Sequence, residues 1–194
     1  MQKLTREDIF SLENYADVRD AFRDEVLAHK RDRRLALGTN AALYFEDRLT
    51  MQYQVQEMLR AERIFEAAGI EEELAAYNPL IPDGDNLKAT MLVEYDNVAE
   101  RQQALARMQG IEERVRVRVA GFEPVYAIAD EDLERTTEEK TSSVHFLRFQ
   151  FSPDMIAALR EGAALSMGVD HPVYEHMTHP VAPDTASALL ADLD

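Results

Sequence analysis

Five histidines and a handful of carboxylates are the residues equipped for acid–base or metal chemistry in this chain, which has no cysteine. His145 shares strand parity with Leu147, Phe149 and Phe151, and His171 shares it with Leu165, Met167 and Val169, so both lean toward an apolar sheet face. A histidine so placed either bonds backbone groups through its ring nitrogens or serves a site as acid, base or ligand. If the strands flanking residues 152–162 run parallel, the two rings lie about 20 Å apart at about 3.3 Å per residue, too far to share one ion. His171, His176 and His179 form a looser cluster with Asp170 and Glu175. Imidazole and carboxylate suit zinc, whose catalytic sites use three protein ligands. The spacing nevertheless follows no standard zinc pattern, and Pro172 and Pro180 point to an ordered coil there.

Glu46, Asp47 and Glu62 are the carboxylates of interest. Glu62 falls in the apolar stripe of a helix and needs a partner, because an unpaired buried charge is costly. Arg34, Arg48, Arg60 and Arg63 stand close in sequence as ion-pair partners, and a carboxylate with a raised pKa in a pocket is the other reading. Glu46, Glu62, His145 and His171 are thus the catalytic candidates, and His171, His176 and His179 the metal candidates. Arg114, Arg116 and Arg118 form a positive row in an acidic chain. They suit cross-strand pairing with Glu94 or Glu123, or an anion-binding pocket or acidic partner. There is no phosphate loop, dinucleotide fingerprint, nucleophile-elbow serine, metalloprotease pair or Glu-x-x-His di-iron motif.

The elements that must position these residues follow from periodicity and punctuation. Thr5 and Asp8 form a capping pair, and Asn14 is the expected cap of a helix carrying Tyr15, Val18, Phe22 and Val26 to near His29. The basic run 30–34 suits that helix's C-terminus. Leu35–Leu37 and Ala41–Phe45 flank a Gly38-Thr39-Asn40 turn and predict a short hairpin. The spacing predicts a helix over 48–68, with Met51, Val55, Met58, Leu59, Glu62 and Phe65 on one face and Gly69 as its C-terminal cap. A short helix over 71–77 precedes the Pro/Gly/Asp-rich stretch 78–86, the clearest boundary.

Beyond it a strand, polar cap, helix, glycine and strand occur twice. Lys88–Tyr95, Asn97, a helix to Gly110 and Val115–Val119 make the first copy. Val144–Phe151, Ser152-Pro153, a helix to Gly162 and Leu165–Val169 make the second. A strand over 122–129 pairs back on 115–119, a charged surface loop covers 130–140, the stretch from His171 is irregular, and 184–193 forms a terminal helix. The expected fold is therefore α+β. A helical segment, 1–80, packs on a ferredoxin-like mixed sheet of two split βαβ units, 87–172, followed by a tail, 173–194.

At 194 residues the chain buries one sizeable core. Its net charge of −16 opposes binding to nucleic acid or anionic lipid. No apolar run approaches the roughly 20 residues of a membrane span, and the N-terminus has no hydrophobic signal core. Without cysteine, neither thiolate-ligated metal nor an iron–sulfur cluster can be held on sulfur. These features predict a cytoplasmic protein, and a homo-oligomer is compatible with them.

The runs LTREDIFSLENY, ALYFEDRLTMQYQVQEMLRAERIF, AYNPLIPDGDNLKAT, EEKTSSVHFLRF and LSMGVDHPVY span nearly the whole chain. Through them the chain resembles the uncharacterised bacterial family known as domain of unknown function 3501. That family carries no established activity or catalytic residues. The resemblance implies genes near those of rubrerythrin-like and heterodisulfide-reductase-like iron–sulfur proteins. It thus implies an accessory or interaction role in redox or oxidative-stress chemistry, with such a protein as partner. The reading independent of it is a small-molecule enzyme or metal-binding protein using His145 or His171 with nearby carboxylates.

Overall fold

Ser11 opens α1 (Leu12–Lys30), its hydroxyl accepting a hydrogen bond from the backbone N–H of Asn14, the residue expected to be the cap. The helix starts one turn earlier than expected because Ser11 satisfies that orphan N–H. In this computed structural model every residue is described except 133, 134, 138 and 139. The expected loop 130–140 lies outside the described residues at those four positions. A 3-10 turn, Arg31–Arg33, leads into β1 (Arg34–Ala36) and β2 (Ala41–Glu46), which form the expected hairpin with Leu35 opposite Leu43.

Asp47 then caps α2 (Arg48–Glu62) in a reciprocal capping box with Thr50. The helix does not reach Ala68. It ends at Arg63, which is left-handed with φ of 58°, and α3 (Ala67–Tyr77) begins four residues later. Gly69 is therefore not a cap but lies inside α3, where a Cβ would stand 2.7 Å from Cγ2 of Ile64. The expected stripe breaks as a result. Met51, Val55, Gln56 and Leu59 are buried, whereas Glu62 is exposed and Phe65 is 72% exposed. The buried ion pair expected at Glu62 does not form, because the helix stops before that turn can pack.

The remaining elements are β3 (Asn86–Val93), α4 (Val98–Arg107), β4 (Val115–Val119), β5 (Val125–Tyr126), β6 (Ile128–Ala129), β7 (Val144–Gln150), α5 (Pro153–Arg160), β8 (Leu165–His171), β9 (Tyr174–Thr178) and α6 (Pro183–Leu190). The fold is α+β with two sheets, β1-β2-β3-β7-β6 and β5-β4-β8-β9, and every ladder is antiparallel. Both strand–helix–strand copies exist, but they do not make one ferredoxin-like mixed sheet. β3 and β7 pair with each other, β4 and β8 pair with each other, and α4 and α5 each carry the chain from the first sheet to the second. Two half-apolar sheets bury more by facing each other than by merging, since each has one apolar face to cover. β1 and β2, the short hairpin expected within the N-terminal 80 residues, belong to the first sheet. The tail is not irregular either, for β9 pairs with β8 from His171–Tyr174 to Met167–Thr178.

Leu43, Phe45, Met91, Phe149, Val117 and Met167 join one apolar cluster between the sheets. Val115, Val117 and Val119 point into it while Arg116 and Arg118 point away, as the alternation predicts. At one corner the chain itself joins the sheets, β5 and β6 being separated only by Ala127. At the other, the Tyr174 hydroxyl donates to the Leu37 carbonyl oxygen at 2.5 Å and accepts from the Asn40 N–H at 3.0 Å. Gly38, at φ of 79°, makes room, since a Cβ there would lie 2.8 Å from that hydroxyl. A second cluster of Leu4, Met51, Val55, Leu59, Leu74 and Ile81 holds the helices. No helix among the described residues is long and apolar enough to cross a membrane.

Arg33 ties these layers together. It is 4% exposed and makes a bidentate pair with Asp192, Nη1 donating to Oδ2 at 2.8 Å and Nη2 to Oδ1 at 2.7 Å. Its Nε stands 2.9 Å from Oδ2 of Asp47, an ion-pair contact whose angle falls outside a hydrogen bond. Burial alone would push the guanidinium pKa down, but Asp192, Asp47 and Glu46 outweigh it and hold it raised. Removing one member of such a cluster strands buried charge. Arg33→Met should therefore lower unfolding free energy in urea by about 3–5 kcal/mol. A loss below about 1 kcal/mol is what a solvent-screened pair would give.

On the helical layer Arg19 holds Glu57 through Nε and Nη2 at 2.8 and 2.7 Å, and Tyr15 donates to the same carboxylate at 2.8 Å. The arginine pulls the Glu57 carboxyl down from its ordinary value of 4.5 to about 2, against burial. A lowered folded pKa stabilises the fold above the unfolded value and is lost as pH falls through the folded one. Thermal stability followed between those two values should thus fall less steeply with acid in Glu57→Gln than in the parent. Parallel curves would show that the pair adds nothing.

Candidate functional site

His145 is fully buried on the inner face of β7, opposite Met91 of β3. The fold brings two carboxylates to it that sequence reading missed. Asp130 follows β6 in a left-handed conformation, φ of 50°, which Asp tolerates better than most residues. That turn aims its Oδ2 at Nδ1 of His145 at 2.6 Å, while Oδ1 accepts from the Phe146 N–H at 2.9 Å and from Arg135 at 3.1 Å. A carboxylate only accepts, so Nδ1 carries the proton in this contact. Glu112 comes from the 3-10 turn Ile111–Arg114 that precedes β4.

Nε2 of His145 faces three oxygens: the Thr141 hydroxyl at 2.9 Å, the Ser142 carbonyl at 3.1 Å and Glu112 Oε2 at 3.8 Å. Thr141 also donates to Glu112 Oε2 at 3.2 Å, and Thr136 donates to Glu112 Oε1. Glu112, Asp130 and His145 each offer a ligand atom, all within 4.8 Å of one another, and form the group among the described residues that meets this spacing. The hydroxyl–imidazole–carboxylate order Thr141–His145–Asp130 is that of an activated nucleophile. Thr141 is only 1% exposed, however, and leaves no face for a substrate. The arrangement suits holding a cation against Nε2.

The other predicted residues are dispersed. His171 contacts the Gln109 carbonyl oxygen through Nε2 at 3.0 Å, His176 contacts Thr178 at 3.3 Å, and His179 contacts Ser166 at 2.6 Å. They share no metal site, because the β8–β9 hairpin sets His171 opposite Tyr174 and His176 opposite Val169, on different rungs. His145 and His171 lie in different sheets rather than flanking one parallel unit. Arg114, Arg116 and Arg118 do not converge on an anion pocket. Arg114 is exposed, Arg116 stands 3.4 Å from Asp170 with its guanidinium over the Tyr126 ring, and Arg118 donates to the Phe122 carbonyl. The cross-strand acid is Asp170 of β8 rather than Glu94 or Glu123, since β8 is the strand that pairs with β4. Asp47 belongs to the Arg33 cluster, where His29 Nε2 adds a 2.5 Å contact.

Glu46 lies 8% exposed on the outer face of the first sheet. It lines a cleft of about 1090 Å³ bounded by α3, the turn Asn78–Leu80, β3 and β7. Its Oε1 accepts from the Thr90 hydroxyl and its Oε2 from the Thr50 hydroxyl, both at 2.7 Å.

The family model described as protein of unknown function (DUF3501) matches residues 3–193, and the chain belongs to that family. It is similar to a novel protein of unknown function from Burkholderia pseudomallei K96243, known from a crystal structure, at 52% identity and a TM-score of 0.94, with 100% of both chains covered. Among curated proteins nothing matches.

Thr141→Val keeps the shape at 141 but removes the hydroxyl shared by Glu112 and His145. It should cost about 1–3 kcal/mol of stability, the penalty for buried polar groups left unpaired. A variant as stable as the parent in chemical unfolding would show that water reaches both partners.

Proposed function

We propose that this member of the family is a metal-binding accessory protein of a bacterial redox system, with Glu112 and His145 as metal ligands and Asp130 positioning the His145 ring from behind. The observation that carries the metal reading is the placement of three oxygens around Nε2 of His145. A ring nitrogen with carboxylate, carbonyl and hydroxyl oxygens is a donor set for zinc, manganese or iron(II). The 3.8 Å between Nε2 and Glu112 Oε2 is a spacing that two ligands of one cation can adopt. Asp130 on Nδ1 would fix the ring's tautomer and direction, the usual second partner of a metal-bound imidazole. Full burial of His145 favours a role in holding the protein in a binding-competent form over turnover at an open coordination position.

The redox setting and a rubrerythrin-like or iron–sulfur partner rest on the family resemblance, and the cytoplasmic location rests on the composition of the sequence. The absence of cysteine means that any iron–sulfur chemistry belongs to the partner.

Elemental analysis of untagged protein purified without chelator should find about one divalent metal per chain. Glu112→Gln and His145→Ala should lose it, and Asp130→Asn should bind it about 10–100-fold more weakly. Less than about 0.1 metal per chain, with no recovery on adding zinc, iron(II) or manganese, would overturn the metal reading. Native pull-down should recover a redox protein, and its consistent absence would remove the accessory role.

A further inference from the structure

The cleft over the outer face of the first sheet is separate from the His145 chamber, and its floor has an unusual charge. Glu46 and Lys88 are directly opposite across the β2–β3 ladder, where a Glu–Lys pair normally closes. It does not close here. Lys88 turns its ammonium away, to the Pro79 carbonyl at 2.7 Å, the Ile81 carbonyl at 3.0 Å and Asp83 at 2.7 Å. Lys3 shares Asp83 at 2.7 Å, and Arg148 is held bidentate by Glu131 at 2.8 Å. The guanidinium of Arg33 is engaged by Asp192 and Asp47.

Glu46 is thus left with two hydroxyl donors and no cation within ion-pair distance among the described residues. Each carboxylate oxygen keeps a further acceptor position. A carboxylate more than nine-tenths buried, whose nearby Arg33 acts on it only from beyond ion-pair distance and is engaged by Asp192 and Asp47, remains costly, and a cation arriving from the cleft would relieve that cost. The described lining carries three cations, Lys3, Lys88 and Arg148, against five carboxylates, of which Asp132 is paired with Arg135 beside the Phe146 ring, so the remaining balance is slightly negative. Tyr77, Leu80 and Phe146 supply an apolar wall, and the volume is that of a small-molecule site.

We propose that this cleft binds a small organic primary amine with an apolar body, its ammonium donating to Glu46 and its body lying against Leu80 and Phe146. Two hydroxyls already fix the carboxylate, so the site is preorganised and the ligand displaces no salt bridge. An anionic ligand would have to dismantle the Lys88–Asp83 or Arg148–Glu131 pair to find a free cation.

The test is calorimetric titration of the full-length chain with 2-phenylethylamine, n-hexylamine and 1,4-diaminobutane, alongside 2-phenylethanol and 3-phenylpropanoate. At least one amine should bind with a Kd below about 1 mM and at least about tenfold more tightly than the alcohol or the carboxylate. Glu46→Gln, checked for native circular dichroism, should weaken that amine at least about tenfold. Ala76→Trp fills the cleft from an exposed position of α3 and leaves the Glu46 hydrogen bonds intact. It should weaken binding as well, so the inference stays testable if Glu46→Gln misfolds. Saturable binding by none of the amines, preference for the carboxylate, or full amine affinity in Ala76→Trp or in folded Glu46→Gln would each overturn it.

Discussion

One buried guanidinium constrains the molecule more than any other group. Arg33 brings together the end of the first helical segment, the N-cap of α2 through Asp47 and the C-terminal residues through Asp192. A charge so enclosed is tolerable only with nearly all its donors engaged, so the positions of three chain segments are set jointly. The consequences run outward. Asp47 both caps α2 and faces Arg33, which fixes where β2 ends and hence where Glu46 points. Asp192 anchors α6, whose Ala188 carbonyl also accepts from Arg33 at 3.2 Å.

With that anchor in place, the two sheets close on one core. The corner at Ala127 and the Tyr174 phenol at the opposite edge hold their inner faces together. The corner has a chemical by-product. The strand that leaves the corner, β6, is only two residues long, and Asp130 follows it in a left-handed conformation, its N–H still bonded to the Phe146 carbonyl oxygen at 2.8 Å. Its carboxylate finds the Phe146 N–H and the His145 ring. The turn before β4, which brings up Glu112, contacts the same corner. The His145 chamber is thus built where the fold needs polar groups to end a strand, and the same groups form a cation-binding donor set.

The first sheet separates two chemistries by the parity of its strands. On its inner face His145 meets carboxylates without access to bulk solvent. On its outer face Glu46 meets hydroxyls beside a large cleft. Adjacent residues of one segment serve both sides: Asp130 turns inward to His145, and Glu131 turns outward to Arg148.

The sequence by itself determined the α+β class, most of the elements and their faces. Alternation placed Val115, Val117, Val119 and His145 inward. Ser152-Pro153 and Asn97 marked helix starts, because an N-cap is a local contest among neighbouring groups. Local signals failed at Gly69, where contact with Ile64 rather than a cap dictated glycine. They failed likewise at Glu62, whose stripe depended on a helix that stops early. Only the tertiary structure decided that the repeated units span two sheets, since identical strand patterns satisfy either arrangement and the choice rests on which apolar faces meet. It alone brought Glu112 and Asp130 to His145, and Asp192 to Arg33. Those contacts link residues 33, 15 and 159 positions apart, and no spacing rule within one chain reaches that far, because loop conformations between elements set the distances.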